Sequence, residues 1–180
     1  MKNLFVLVLA AVTLVSCNNV EQHRTAIEEV STMWSEFNPK MDALSQKCAT
    51  LNASLKAMGS MVVEVTEDMD EGAVEAAQSI NTEYKESAMK VTSMTEEVNT
   101  FVAEMMANDT KVQSLVDGLA AGKIDGDVDA LIAEVKLSMD EATVKMEAYY
   151  AQLEEFSAVA TQLSEKMTPV LTEDTMTAEL

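Results

Sequence analysis

At 180 residues the chain is long enough for one modest domain, and its 31 Asp and Glu against 12 Lys and Arg give a formal net charge of −19. That balance leaves no basic patch to neutralise a row of phosphates, which excludes nucleic acid as a partner, and the same field repels anionic lipid head groups. With only five Gly, two Pro and 4% aromatic residues, the composition argues against a strand-and-turn fold and for helices.

The first element, residues 1–16, reads as a secretory signal peptide to be cleaved. Lys2 supplies the positive start, and Leu4 to Val15 is almost wholly apolar. The apolar run is shorter than the ~20 residues of a membrane-spanning helix, which argues against an uncut anchor. Ordinary signal peptidase, the alternative that leaves Cys17 a plain thiol, would accept Ser16 just before the cut but not Leu14 two positions earlier. The run closes with Leu14-Val15-Ser16-Cys17, which resembles the lipobox of bacterial lipoproteins, a likeness confined to this N-terminal segment. It implies cleavage before Cys17, a diacylglyceryl group on the Cys17 sulfur, acylation of the new N-terminus, and residues 17–19 as a lipidated start and short linker. Two or more acyl chains anchor durably where one holds only marginally. The resemblance also implies a place in the bacterial cell envelope. Asn18 replaces the Asp that retains some lipoproteins at the inner membrane, so the outer membrane is favoured.

From residue 20 to 171 a seven-residue period governs the chain. Val20, Ile27, Trp34, Met41, Cys48, Leu55, Val62 and Met69 form one series; His23, Val30, Phe37, Leu44, Leu51, Met58 and Val65 form its companion. After Gly72 the pattern resumes with Ala77, Tyr84, Val91, Val98, Met105, Val112 and Leu119. Ile80, Met94, Phe101 and Leu115 accompany it, interrupted by the polar Ser87 and Asn108. After Gly126 it resumes again, from Val128 through Val135, Ala142, Tyr149, Phe156 and Leu163 to Val170, beside Ile132, Met139, Met146, Leu153, Ala160 and Met167. Apolar residues at this spacing place one seam on one face of a helix.

The spacing predicts helices over about 20–70, 73–121 and 127–170, each about 65–75 Å long by helix rise, followed by an acidic tail at 172–180. Asp70-Glu71-Gly72 and Ala121–Gly126 supply the turns, with Asp127 placed as an N-cap. Short connections imply antiparallel neighbours. The expected fold is all-α, an elongated antiparallel three-helix coiled-coil-like bundle. Breaks near Pro39, Gly59 or Asn108 would make it a four- or five-helix bundle instead.

Few residues suggest chemistry. Fourteen Met invite a copper reading, but most fall on the stripes, where flexible thioethers fill core gaps. Asp125-Gly126-Asp127-Val128-Asp129 starts like a calcium loop, yet Ala130 stands where Gly is needed and Lys136 replaces the bidentate Glu. Cys48 sits on the stripe as a free thiol, with a bridge between two chains as its alternative, and His23 reads as surface or linker. No phosphate loop, zinc spacing or nucleophile elbow occurs, so neither an enzyme nor a cofactor or metal is expected.

With Cys17 at a membrane, the turn near Gly72 and the C-terminal tail would meet at the far end. They gather Glu67, Asp68, Asp70, Glu71, Glu173, Asp174 and Glu179 into an acidic tip. The expected function is a lipid-anchored structural spacer or docking surface for a protein partner. Alternatives are a coiled-coil module that pairs with another chain or with itself, and divalent-cation binding at the tip.

Overall fold

A helix carrying a single apolar stripe cannot bury it alone, so segments with matching stripes must share a core. The computed structural model describes residues 20–62, 64–67 and 69–177, and the side chains of these residues other than 61 and 168–177. The expected signal peptide, Cys17 and its linker lie outside the described residues. The chain folds into three long α-helices: α1 (Arg24–Met58), α2 (Glu71–Ala121) and α3 (Val128–Thr177). A single 3₁₀ turn, Glu21–His23, leads into α1, and another, Gly59–Met61, ends it. The described residues contain no strand, so the all-α bundle stands.

The helices pack as two compact units. One takes residues 20–41 with Val102–Lys145; the other takes Asp42–Phe101 with residues 146–177. In the first, Asn108 meets Ser138 and Lys111 meets Glu134, so α2 and α3 run antiparallel. Glu29 meets Lys136, and His23 meets Asp129, so α1 and α3 run parallel there. Ile27, Val30, Leu115 and Val135 are almost wholly buried.

In the second unit, Ser45 hydrogen-bonds to Asn99, Asn52 to Thr92, and Gly59 lies under Tyr84, which makes α1 and α2 antiparallel. The Phe101 and Tyr149 rings stand 5.7 Å apart, and Lys166 reaches Glu83, linking α2 to α3. Leu44, Cys48, Val91, Val98 and Leu163 fill the interior.

Of the foreseen interruptions, the one at Gly59 coincides with the end of α1, whereas those at Pro39 and Asn108 do not divide a helix. Pro39 lies inside α1 on an exposed position. Its ring removes one N–H, but the orphaned carbonyl belongs to exposed Ser35, where water can bond to it. Asn108 lies inside α2, so three helices form rather than four or five.

Two expected boundaries are wrong. Helix α1 ends at Met58 rather than near residue 70, and Val65, expected on the seam, is 44% exposed. The run Val62-Val63-Glu64-Val65-Thr66 is rich in β-branched residues, whose χ1 freedom a helix restricts. At the other end, α3 continues to Thr177 and takes in residues expected to form the tail.

The turn between α2 and α3 follows from two glycines. Gly122 has φ +69° and Gly126 φ +97°, conformations that a Cβ penalises. The N–H of Gly122 bonds to the Leu119 carbonyl and that of Lys123 to the Gly118 carbonyl, the double bond of a Schellman helix end. Ile124 folds back onto Gly118, where any side chain would collide with it.

Burial sets the ranking of core substitutions. Leu44 is fully buried, whereas Phe156, expected in the core, is half-buried. Leu44→Ala is expected to lower stability by about 2–5 kcal/mol in urea unfolding. Phe156→Ala should cost less than the ~3–5 kcal/mol of a fully buried Phe. Equal or reversed losses would mean that the seam is not the core described.

Candidate functional site

The carboxylates grouped as an acidic tip are the natural starting point. Glu67, Asp70 and Glu71 are all exposed. Asp70 acts as the N-cap of α2: its Oδ1 accepts the Ala73 N–H at 2.8 Å, and its carbonyl accepts the Val74 N–H at 3.0 Å. Glu71 occupies the first turn of α2, where a negative charge meets the positive end of the helix dipole. Asp68, Glu179 and the side chains of Glu173 and Asp174 lie outside the described residues. Chain adjacency alone brings the described members together, and of them Asp70 and Glu71 are engaged at a helix start.

The calcium-like run is pulled apart. Asp127 caps α3 by accepting the Ala130 N–H at 3.1 Å, Asp125 pairs with Lys123 at 2.9 Å, and Asp129 lies 3.0 Å from His23. Three carboxylates with three separate partners do not converge on one point. No group of three or more His, Cys, Asp or Glu among the described residues is arranged to hold a metal ion.

His23 departs from its surface-or-linker reading. Its side chain is only 12% exposed, its Nδ1 faces Asp129 Oδ1, and its Nε2 lies 3.1 Å from the Gln22 amide nitrogen. A neutral ring protonated at Nδ1 satisfies both contacts, donating to Asp129 and accepting from Gln22. The imidazole thereby ties the start of α1 to the start of α3. Its place on the companion stripe was the signal for this burial.

Two polar contacts within the first unit were missed by the periodicity. The Trp34 indole N–H donates to Asp109 Oδ1 at 2.8 Å, and the ring packs against Phe37 with centroids 6.1 Å apart. Asn108, only 4% exposed, donates to Ser138 Oγ at 2.8 Å and lies 3.5 Å from Lys111 Nζ, which also holds Glu134 at 2.8 Å. Asn108 and Asp109 had marked a potential helix break; instead they join neighbouring helices. A buried amide needs such partners, because an unsatisfied one costs about 1–3 kcal/mol.

The remaining surface offers no converging chemistry among the described residues. Arg24 is spent locally, on both oxygens of Glu21 at 2.7 Å and on Glu28 at 3.3 Å, and it holds the Glu21 carboxyl below its usual range. An open groove of about 730 Å³ in the second unit is floored by Leu51 and Leu153 and edged by Lys47, Thr50, Ser54 and Ser157. Leu137 and Val144 are 61% and 69% exposed on α3, with the exposed Asp140 and Glu141 between them, so they form no continuous apolar strip. Seven of the eight stripe methionines are buried, and Met69 alone is not; off the stripe, Met89 and Met106 stand exposed. No described helix is long and apolar enough to cross a membrane.

Cys48 is fully buried, and burial pushes its thiol above the ordinary range. A bridge to a second chain would first require the core to open. Below the ordinary thiol range, about 8.5, both folded and unfolded thiols stay protonated. Above it the unfolded thiol ionises first, so rising pH favours unfolding. Cys48→Ala is expected to flatten the fall in stability between about pH 8 and pH 10, read by urea titration at both values. An unchanged fall would mean that the thiol ionises as easily folded as unfolded.

Set against protein-family models, curated proteins and solved structures, the chain matches none of them.

Proposed function

We propose that this chain is a non-enzymatic, lipid-anchored helical protein of the bacterial cell envelope, held at a membrane by Cys17 and serving as a structural spacer or docking surface for a protein partner. The observation that carries the reading is the juxtaposition of two features. Leu14-Val15-Ser16-Cys17 resembles a lipobox, and only three residues later Val20 is 5% exposed, the first buried residue among those described. A core that starts this close to the lipidated residue leaves little slack between bilayer and bundle.

The non-catalytic part of the reading is supported by how the polar groups are used. Asp70 and Asp127 cap helices, while Lys111, Lys136 and Lys166 pair with Glu134, Glu29 and Glu83 on neighbouring helices. Each such pair contributes modestly, about 0.2–1 kcal/mol, so these contacts orient helices more than they hold them together. The large excess of carboxylates keeps the surface hydrated and makes a cationic partner the better electrostatic match.

The test is the intact mass of the full chain expressed in a bacterium. A mature protein that begins at Cys17 and carries acyl mass is expected, partitioning into detergent. Cys17→Ala should stay unacylated and leave the detergent phase. An unmodified thiol at Cys17 in the parent chain would overturn the anchoring.

A further inference from the structure

Given the lipid anchor at Cys17 proposed above, the fold decides which face of the first unit meets the bilayer. Three residues on from Cys17, buried Val20 lies within about 11 Å of it even when the link is fully extended. Contacts within the unit fix what else lies at this level. His23 meets Asp129 at 3.0 Å, so the start of α3 sits beside the start of α1. Glu21 and Arg24 line one cleft with Ala121 and Gly122, which brings in the end of α2. The turn between α2 and α3 therefore shares one end of the unit with the anchored residue.

That end has nothing to insert into hydrocarbon. Val20 and Val128 are 5% and 8% exposed, and Ile124 is folded back onto Gly118. Among the described residues, no large apolar side chain stands exposed there. The exposed groups are instead Glu21, Gln22, Lys123, Asp125, Asp127 and Asp129. Arg24 offsets Glu21 and Lys123 offsets Asp125, which leaves the carboxylates of Asp127 and Asp129 in excess. At about 0.1 M salt a charge acts over ~10 Å, which is the reach of the link itself, so head groups feel this excess.

We propose that this end of the first unit, residues 122–129 with Glu21 and Gln22, is a membrane-facing surface that rests on zwitterionic lipid head groups and is repelled by anionic ones. The outermost group of a zwitterionic phospholipid is its ammonium, which complements Asp127 and Asp129. An anionic lipid such as phosphatidylglycerol carries no cation above its phosphate. The acyl chains hold the protein to the bilayer, and this face sets which bilayer it settles on.

The test shares the acylated full chain, from dilute detergent in about 0.1 M salt, between two vesicle types. One is phosphatidylcholine alone, and the other is phosphatidylcholine mixed with phosphatidylglycerol. The parent should favour the first. Asp125→Asn/Asp129→Asn, which keeps an oxygen for His23, should move the ratio toward the anionic vesicles by about fivefold, the effect of one charge at such a surface. Asp125→Asn/Asp127→Asn should do the same, since Asn caps a helix as well as Asp. Glu36 and Glu104 are exposed in the same unit, about 24 Å or more farther along their helices by helix rise. Glu36→Gln/Glu104→Gln should therefore change the ratio by less than about twofold, because two screening lengths intervene. Equal shifts from the near and distant pairs, or none from the near pairs, would overturn the facing while leaving the anchor intact. A parent chain taken up by neither vesicle would overturn the anchor itself, and the membrane-facing surface with it.

Discussion

Everything in this molecule depends on one constraint: three helices each carry a single apolar stripe, and none can hide it without the other two. The stripe is narrow, so the helices need only touch along it, and the rest of each surface is free to be polar. That freedom explains how so acidic a chain folds at all. Repulsion among carboxylates is spread over outward faces, while Ile27, Leu44, Val91, Val135 and Leu163 sit in an interior that charge does not enter. Burying such side chains supplies roughly 1.5–3 kcal/mol each, far more than the interhelical ion pairs return.

A uniform apolar seam fits many registers about equally well, and the polar exceptions remove that ambiguity. Slipping α2 by one turn against α3 would part Asn108 from Ser138 and leave a buried amide unsatisfied. The same slip would part Lys111 from Glu134. In the first unit, Trp34 and Asp109 fix α1 against α2 in the same way, and His23 and Asp129 fix α1 against α3. The polar groups of the seam therefore select an alignment, and the apolar groups stabilise it.

The helices were legible because hydrophobic period is a direct readout of which face is buried. The turn at Gly122–Gly126 was legible because glycine and a capping Asp have few other uses there. Period reports the face a segment would bury, however, and says nothing of whether the segment becomes helical. That is why Val62, Val65 and Met69 misled: the phase persists where β-branching opposes the helix. The candidate site was less legible. The acidic residues and the calcium-like run resolve into caps and separate pairs, a distinction set by side-chain direction, which spacing does not encode. His23 and Asn108 were visible as polar residues on the stripe, but their partners on α3 lie far away in sequence. Cys17, the residue with the clearest chemistry, owes its reading to local sequence alone.

The distribution of aromatic residues across the two compact units has a practical meaning. The chain has a single Trp and three Tyr. Trp34 lies in the first unit, donating to Asp109, while Tyr84, Tyr149 and Tyr150 all lie in the second. Each unit thus carries its own intrinsic chromophore. Indole emission excited at the red edge reports the first unit alone, and the phenol part of the near-ultraviolet absorbance, once the overlapping indole part is subtracted, reports the second, so whether they melt as one cooperative body or in sequence can be read optically from the unlabelled native chain.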